Sequence, residues 1–311
     1  AGSIRRQLGM EWAARRVPDT ATIAAMDWLT ELGAADMPDR AMRAPIQEKF
    51  DHWSGHWLYW RDQNPNQLDE ATNCPDTIWK EIKRLRQVAK ERSDDTIDSM
   101  PSPYYAIVML DGDNMGQRMR KASVSEQEQI SRALSDFALN QAPRIVEQHL
   151  GFLVYAGGDD VLALLPTSKA LDCARQLHDQ LESIDVPGGA IQSSAGIAVA
   201  HYKFDLRDAL EAARSAEQES KQQGKKCFVL RVLRRSGEHS SGVLPWDRAG
   251  HLQQFIQWFR AGRTDRWTYQ LRGEMSALLG DLLKKSDSGN GEHPPPAMTP
   301  QTLSAPCSIP S

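Results

Sequence analysis

Two adjacent aspartates, Asp159 and Asp160, follow two glycines, Gly157 and Gly158, inside the stretch GFLVYAGGDDVLALLP that runs from Gly151 to Pro166. Apolar residues flank the cluster on both sides, Phe152 to Ala156 before it and Val161 to Leu165 after it. Two short apolar runs joined by Gly and Asp predict a β-hairpin, because glycine supplies the positive φ that a tight turn demands. A turn uses one Asp to bond its own backbone. Two neighbouring carboxylates at the mouth of two strands repel each other unless a cation offsets the charge. Hard cations such as Mg²⁺ take oxygen ligands, and nucleotide-processing sites hold them with one or two carboxylates plus substrate phosphates. Asp159 and Asp160 are therefore candidate ligands for Mg²⁺ (or Mn²⁺), and Gly157 and Gly158 would let a triphosphate approach the turn without Cβ clashes. Taken alone, the stretch also fits an ordinary hairpin turn.

A second acidic cluster sharpens the reading. Tyr104–Leu110 (YYAIVML) predicts a buried strand, and it ends in Asp111-Gly112-Asp113-Asn114-Met115-Gly116. A helical segment and then the hairpin follow. In a split β-α-β-β-α-β unit the third strand lies between the first two and antiparallel to them. The end of the first strand and the tip of the hairpin then share one edge of the sheet. That topology brings Asp111 to Asp159 and Asp160. The expected fold class is α+β, a ferredoxin-like βαββαβ sheet flanked by helical regions. Asp111 joins the metal set, Gly112 is expected to lend its carbonyl, and Asp113 and Asn114 are read as nucleotide contacts or as residues that shape the loop.

The motif DGDNMG followed by YAGGDD resembles the catalytic palm of the large subunit of type III CRISPR effector complexes, most closely the Cmr branch. That palm is related to the GGDEF diguanylate cyclases and class III nucleotide cyclases. The resemblance covers about Tyr104 to Asp247. It implies a cyclase- or polymerase-type palm that makes cyclic oligoadenylate from ATP with Mg²⁺, one ion at the attacking 3′ (or 2′) hydroxyl and one at the triphosphate. It also implies a cytoplasmic setting among other effector subunits, with guide RNA and target RNA reached through the complex. In the family the strand carrying Ser194 lies beside the nucleotide. The run Lys221-Gln222-Gln223-Gly224-Lys225-Lys226 resembles the AKxxGRN segment of the cyclases, so Lys221 and Lys225 are implied phosphate contacts; ordinary helix capping is the alternative. Asp160 stands where GGDEF enzymes carry Glu, and nothing resembles a guanine-selective pocket. No HD nuclease motif and no second acidic pair is read in the sequence, so the chain is expected to be a fragment that needs a second palm or a homodimer. Two alternatives remain open: a non-catalytic nucleotide-binding scaffold of the same complex, and a stand-alone GGDEF-like cyclase.

The elements that must position these residues can also be read. The chain has 311 residues and a formal net charge of −4, which gives no global basic field for nucleic acid. Its four cysteines form no CxxC pair, and no run approaches transmembrane length. The expected division is a mainly helical region over 1–100, the GGDD palm over 101–235, a helical region over 236–285 and a disordered tail over 286–311. Trp53, Trp57 and Trp60 fall on one helical face and predict a packed aromatic stripe, with His52 and His56 structural. Ser125-x-x-Glu128 predicts a capping box for a helix whose buried face is Ile130, Leu134, Phe137 and Ile145, interrupted at Pro143. Thr167 or Ser168 is expected to cap the next helix, in which His178-Asp179 is structural. Gly196 inside a strand predicts close approach to the backbone. Asp205 opens another helix, and Cys227–Leu233 is expected to be the last strand of the sheet.

Overall fold

The computed structural model describes residues 17–39, 53–61, 74–92, 98–235, 237 and 239–260. Among the described residues, helices α1 (Thr20–Glu31) and α2 (Asp76–Glu91) precede the sheet, with a 3-10 turn over Gly55–Tyr59 between them. The central region then runs β1 (Tyr104–Gly112), α3 (Met115–Lys121), α4 (Val124–Asp136), a π-helical turn (Phe137–Gln141) and α5 (Ala142–Gln148). It continues through β2 (Phe152–Gly157), β3 (Asp160–Pro166), α6 (Thr167–Glu182), β4 (Ser193–His201), α7 (Leu206–Gln222) and β5 (Cys227–Leu233). Strand β6 (His239–Pro245) and α8 (Ala249–Arg260) complete the described chain.

The six strands form one sheet in the order β2-β3-β1-β4-β5-β6. Strands β2, β3, β1 and β4 are successively antiparallel, which is the expected split βαββαβ arrangement. The sheet does not end at β5, as the sequence reading expected: β6 pairs antiparallel with it, from Cys227 opposite Pro245 to Leu233 opposite His239. β6 escaped notice because His239-Ser240-Ser241-Gly242 is polar, and its side chains are mostly exposed. Without an apolar alternation an edge strand has little sequence signature.

Side chains alternate across β1. Ala106, Val108 and Leu110 join a core with α4, α5 and α6, built on Ile130, Phe137, Val146 and Leu177. Tyr105 and Ile107 face the other way and meet Ala209 and Ala213 of α7 together with Ile23 and Ala24 of α1. Helix α1 thus packs on the sheet itself. Thr20 donates its hydroxyl to the Tyr202 carbonyl (2.9 Å), and Ser168 donates to Asp27 (2.6 Å) across the junction.

Two expected caps sit elsewhere. Ser123, not Ser125, caps α4: its hydroxyl accepts from the Glu126 N–H, and the Glu126 carboxylate takes the Ser123 N–H at 2.7 Å. The motif S-x-x-E occurs twice in Ser123-Val124-Ser125-Glu126-Gln127-Glu128, and the frame that turns Ile130 and Leu134 inward wins. Thr167 begins α6 after Pro166, and Ser168 bonds Asp27 instead of capping. Pro143 falls in the first turn of α5, where its missing N–H costs nothing, and the π-helical turn absorbs the break before it. Trp57 is buried and meets Trp53 edge to face, so the aromatic stretch packs as expected, on a 3-10 turn in place of a helix. His52 and the tail beyond 260 lie outside the described residues. Among the described residues no helix is long and apolar enough to cross a membrane.

Candidate metal and nucleotide site

The register of the sheet assembles the acidic site. Leu110 pairs with Val161, so one step further along both strands places Asp111 beside Asp160. The hairpin closes with Gly157 opposite Asp160, leaving Gly158 and Asp159 at its tip. Gly158 has φ +76°, which the first central position of a two-residue II′ hairpin requires. Ligand oxygens of Asp111, Asp159 and Asp160 then lie within 4.8 Å of one another. Gly112 contributes space: a Cβ there would stand 2.7 Å from Asp159 Oδ2 and 2.8 Å from Asp159 Cβ. The missing side chain lets the two strand ends bring their carboxylates together.

The electrostatics are those of crowded anions. Burial, a hydrogen bond with Asp111 and the charges of Asp111 and Asp159 push the Asp160 carboxyl up to about 7, against the partial relief given by Lys221. Asp159 is also raised, first by burial and further by Asp111, while backbone hydrogen bonds and Lys221 pull the other way. Lys221, in the last turn of α7, pairs with Asp111 Oδ2 and, at 2.7 Å, with Glu217 Oε1. Burial opposes its charge, yet the hydrogen bonds and charges of Asp111 and Glu217 outweigh this and hold the ammonium above the usual lysine range. The three aspartate oxygens fit a hard divalent cation in number, chemistry and spacing, because such an ion takes oxygen ligands and relieves this repulsion. Asp111, Asp159 and Asp160 are the side chains that would hold it.

The remaining candidates divide in two. Asn114 (φ +62°) caps α3 and accepts from Lys225 Nζ at 2.5 Å, so both stand at the rim. Asp113 and Ser194 lie behind it. Ser194 is fully buried and donates its hydroxyl to Asp113 Oδ1 at 2.8 Å, and Asp113 Oδ2 accepts the Lys226 N–H at 3.0 Å. The Ser194 hydroxyl is thus engaged by Asp113, and the buried pair ties the β1 turn to the loop Gly224-Lys225-Lys226, whose three residues all have positive φ. Gly196 has its close neighbour, the backbone of α7 at Ala213 O and Glu217 N, so it serves helix packing and not a ligand. Glu217 was not singled out from the sequence; its i,i+4 spacing to Lys221 was the available signal.

Beside this turn opens a cleft of about 410 Å³, lined among others by Asn114, Gln117, Arg118, Lys121, Lys225 and Lys226. Arg118 is committed to its wall, donating to the carbonyls of Pro187 (3.0 Å), Gly189 (2.6 Å) and Ala190 (2.8 Å). Asp113 and Glu126 line it as well, so four basic side chains stand with two acidic ones, and none of the three triad aspartates lines it.

Residues 104–229 match the family model of the Cas10/Cmr2 second palm domain. The match covers less than half of the chain. The matched segment runs from β1 to the start of β5 and contains all three aspartates together with Lys221. The CRISPR system subunit Cmr2 of Pyrococcus furiosus is 29% identical in a match covering 54% of this chain and 24% of Cmr2, so the chain spans about a quarter of that relative. Among solved structures, a type III-B Cmr-beta complex in its apo state is similar at 14% identity and TM-score 0.44, over 74% of this chain and 36% of that one. The GGDEF domain of DgcB from Caulobacter crescentus is similar at 18% identity and TM-score 0.33, over 39% of this chain and 74% of that one.

Proposed function

We propose that the palm joins ATP molecules into cyclic oligoadenylate, as part of the large subunit of a type III CRISPR effector. The observation that carries this reading is the triad itself, three carboxylates gathered from two strand ends with Lys221 paired to one of them. In the reaction a 3′ (or 2′) hydroxyl oxygen of one nucleotide forms a bond to the α-phosphorus of the next. Pyrophosphate leaves, and the hydroxyl proton passes to solvent. Divalent ions, when bound, supply positive charge at the attacking oxygen and the phosphates. Asp111, Asp159 and Asp160 hold that charge in place, with the Gly112 carbonyl as a further oxygen. Gly157 and Gly158 leave the turn open, Lys221 and Lys225 meet phosphate oxygens, and Asp113 with Ser194 keeps the lysine loop in position. The partners are other effector subunits, with guide and target RNA reached through them, in a cytoplasmic setting.

Joining two nucleotides needs a donor and an acceptor with reacting atoms about 3–3.5 Å apart. One palm presents one triad, so a second palm, from the rest of the large subunit or from a second copy, completes the reaction. The test is incubation of the purified chain with ATP and Mg²⁺ or Mn²⁺ over a range of protein concentrations, alone and with the complex, with products identified by mass spectrometry. The expected products are cyclic oligoadenylates, with a rate for the chain alone that grows with the square of concentration. Full activity from a strict monomer contradicts the two-palm requirement; no product under any condition, with nucleotide still bound, favours a scaffold.

A further inference from the structure

We propose that Glu217 is a positioning residue for Lys221, holding the ammonium at the rim of the triad, where a nucleotide phosphate meets it, once a cation takes Asp111 from it. The inference rests on the metal and nucleotide reading of the triad given above.

Lys221 stands between two anions, Asp111 Oδ2 and Glu217 Oε1, the latter at 2.7 Å. The two are not equivalent. The Glu217 side chain is 14% exposed against 28% for Asp111, and its Oε1 is shut off from solvent. A carboxylate so placed needs a countercharge, and the lysine provides it. Glu217 is also fixed in space, because the backbone of α7 rests directly on β4 at Gly196, where Glu217 N is one of the nearest atoms. Lys221, one turn later on the same helix, has a flexible four-carbon stem and can move.

These differences decide where the ammonium goes when a cation arrives. A divalent ion on Asp111 neutralises the attraction that Asp111 exerts on Lys221 and adds repulsion of its own. Glu217 then remains as the anion holding the lysine, still charged and beside the triad. Without Glu217 the ammonium has Asp111 as its remaining partner in this pair of bridges, and it competes with the cation for that carboxylate. Glu217 thus serves both ligands through Lys221 and touches neither.

The test is a double-mutant cycle on the full chain with Glu217→Gln, Lys221→Met and the pair. Two dissociation constants are read by calorimetry, one for Mn²⁺ alone and one for the non-reacting analogue α,β-methylene-ATP with Mg²⁺. Glu217→Gln is expected to weaken both about tenfold when Lys221 is present. In the Lys221→Met background the same change is expected to alter Mn²⁺ binding less than twofold and to leave the analogue no weaker than Lys221→Met alone. Equal losses in both backgrounds would overturn the proposal, because Glu217 would then act directly by charge or by holding the fold. Wild-type affinities in Glu217→Gln would overturn it too, leaving the triad reading intact. A wild-type chain that binds neither ligand overturns both. Should Glu217→Gln not fold, Glu217→Asp takes its place in the cycle, with an expected loss of about threefold and the same criterion.

Discussion

Changing Asp159 and Asp160 together to Ala is expected to remove the proposed nucleotide joining and to leave the fold standing. Divalent ions in such sites are worth several kcal/mol of transition-state stabilisation, and about 4 kcal/mol corresponds to about a thousandfold in rate. The loss is therefore expected to be about a thousandfold or more. Both residues sit at the hairpin end, partly exposed, so their removal opens no cavity in the core. It also removes the buried, mutually repelling carboxyls, of which burial first and the charges of Asp111 and Asp159 after it push Asp160 up to about 7. Melting temperature should hold or rise by a few degrees. Product formation by the variant at the wild-type rate would refute the catalytic assignment, and a fall of about 10 °C or more would mean that the aspartates hold the turn together.

Gly196→Ala has the largest expected effect on stability. The added Cβ would run into Ala213 O and Glu217 N, which are helix backbone and cannot swing aside as a side chain can. Helix α7 must lift from β4, and overpacking of this kind costs about 1–3 kcal/mol, more where backbone must move. We expect about 3 kcal/mol, read as a lower urea midpoint with an unchanged slope. The same shift carries Glu217 and Lys221 away from Asp111, so nucleotide affinity should fall with stability. A variant as stable as wild type would show that α7 does not depend on this approach.

The same glycine shows what the sequence could convey. Gly196 in an apolar strand announced a close neighbour, but composition could not distinguish a helix from a ligand. The acidic site was legible because two motifs, each at the end of an apolar run, are brought to one edge by a strand order that the βαββαβ unit dictates. The buried stripe Ile130-Leu134-Phe137 was legible too, since periodicity reports burial directly. What stayed hidden depends on long-range partners. The Ser194 hydroxyl is engaged by Asp113, which comes from another strand end. Glu217 carries no mark of its own in the sequence, because what buries it is the depth of α7 against β4. Helix α1 gave no sign that Ile23 and Ala24 would share a core with Tyr105 and Ala213.

The central claim is that the three aspartates form a cation site, and thermal melting across pH, with and without Mg²⁺, tests it most directly. Asp160 titrates near pH 7 in the fold, against about 3.9 in an unfolded chain. Between those values the folded state keeps a proton that the unfolded state has released, so the stability of the metal-free protein falls as pH rises from about 4 to about 7. A cation that binds only the folded triad replaces that proton and adds stability in proportion to ln(1 + [Mg²⁺]/Kd). The predicted result is a metal-free melting temperature that declines toward pH 8 and a Mg²⁺ effect that grows over the same range and vanishes in the Asp159→Ala, Asp160→Ala variant. A melting temperature at pH 8 that Mg²⁺ does not raise, or raises equally in that variant, would contradict the account.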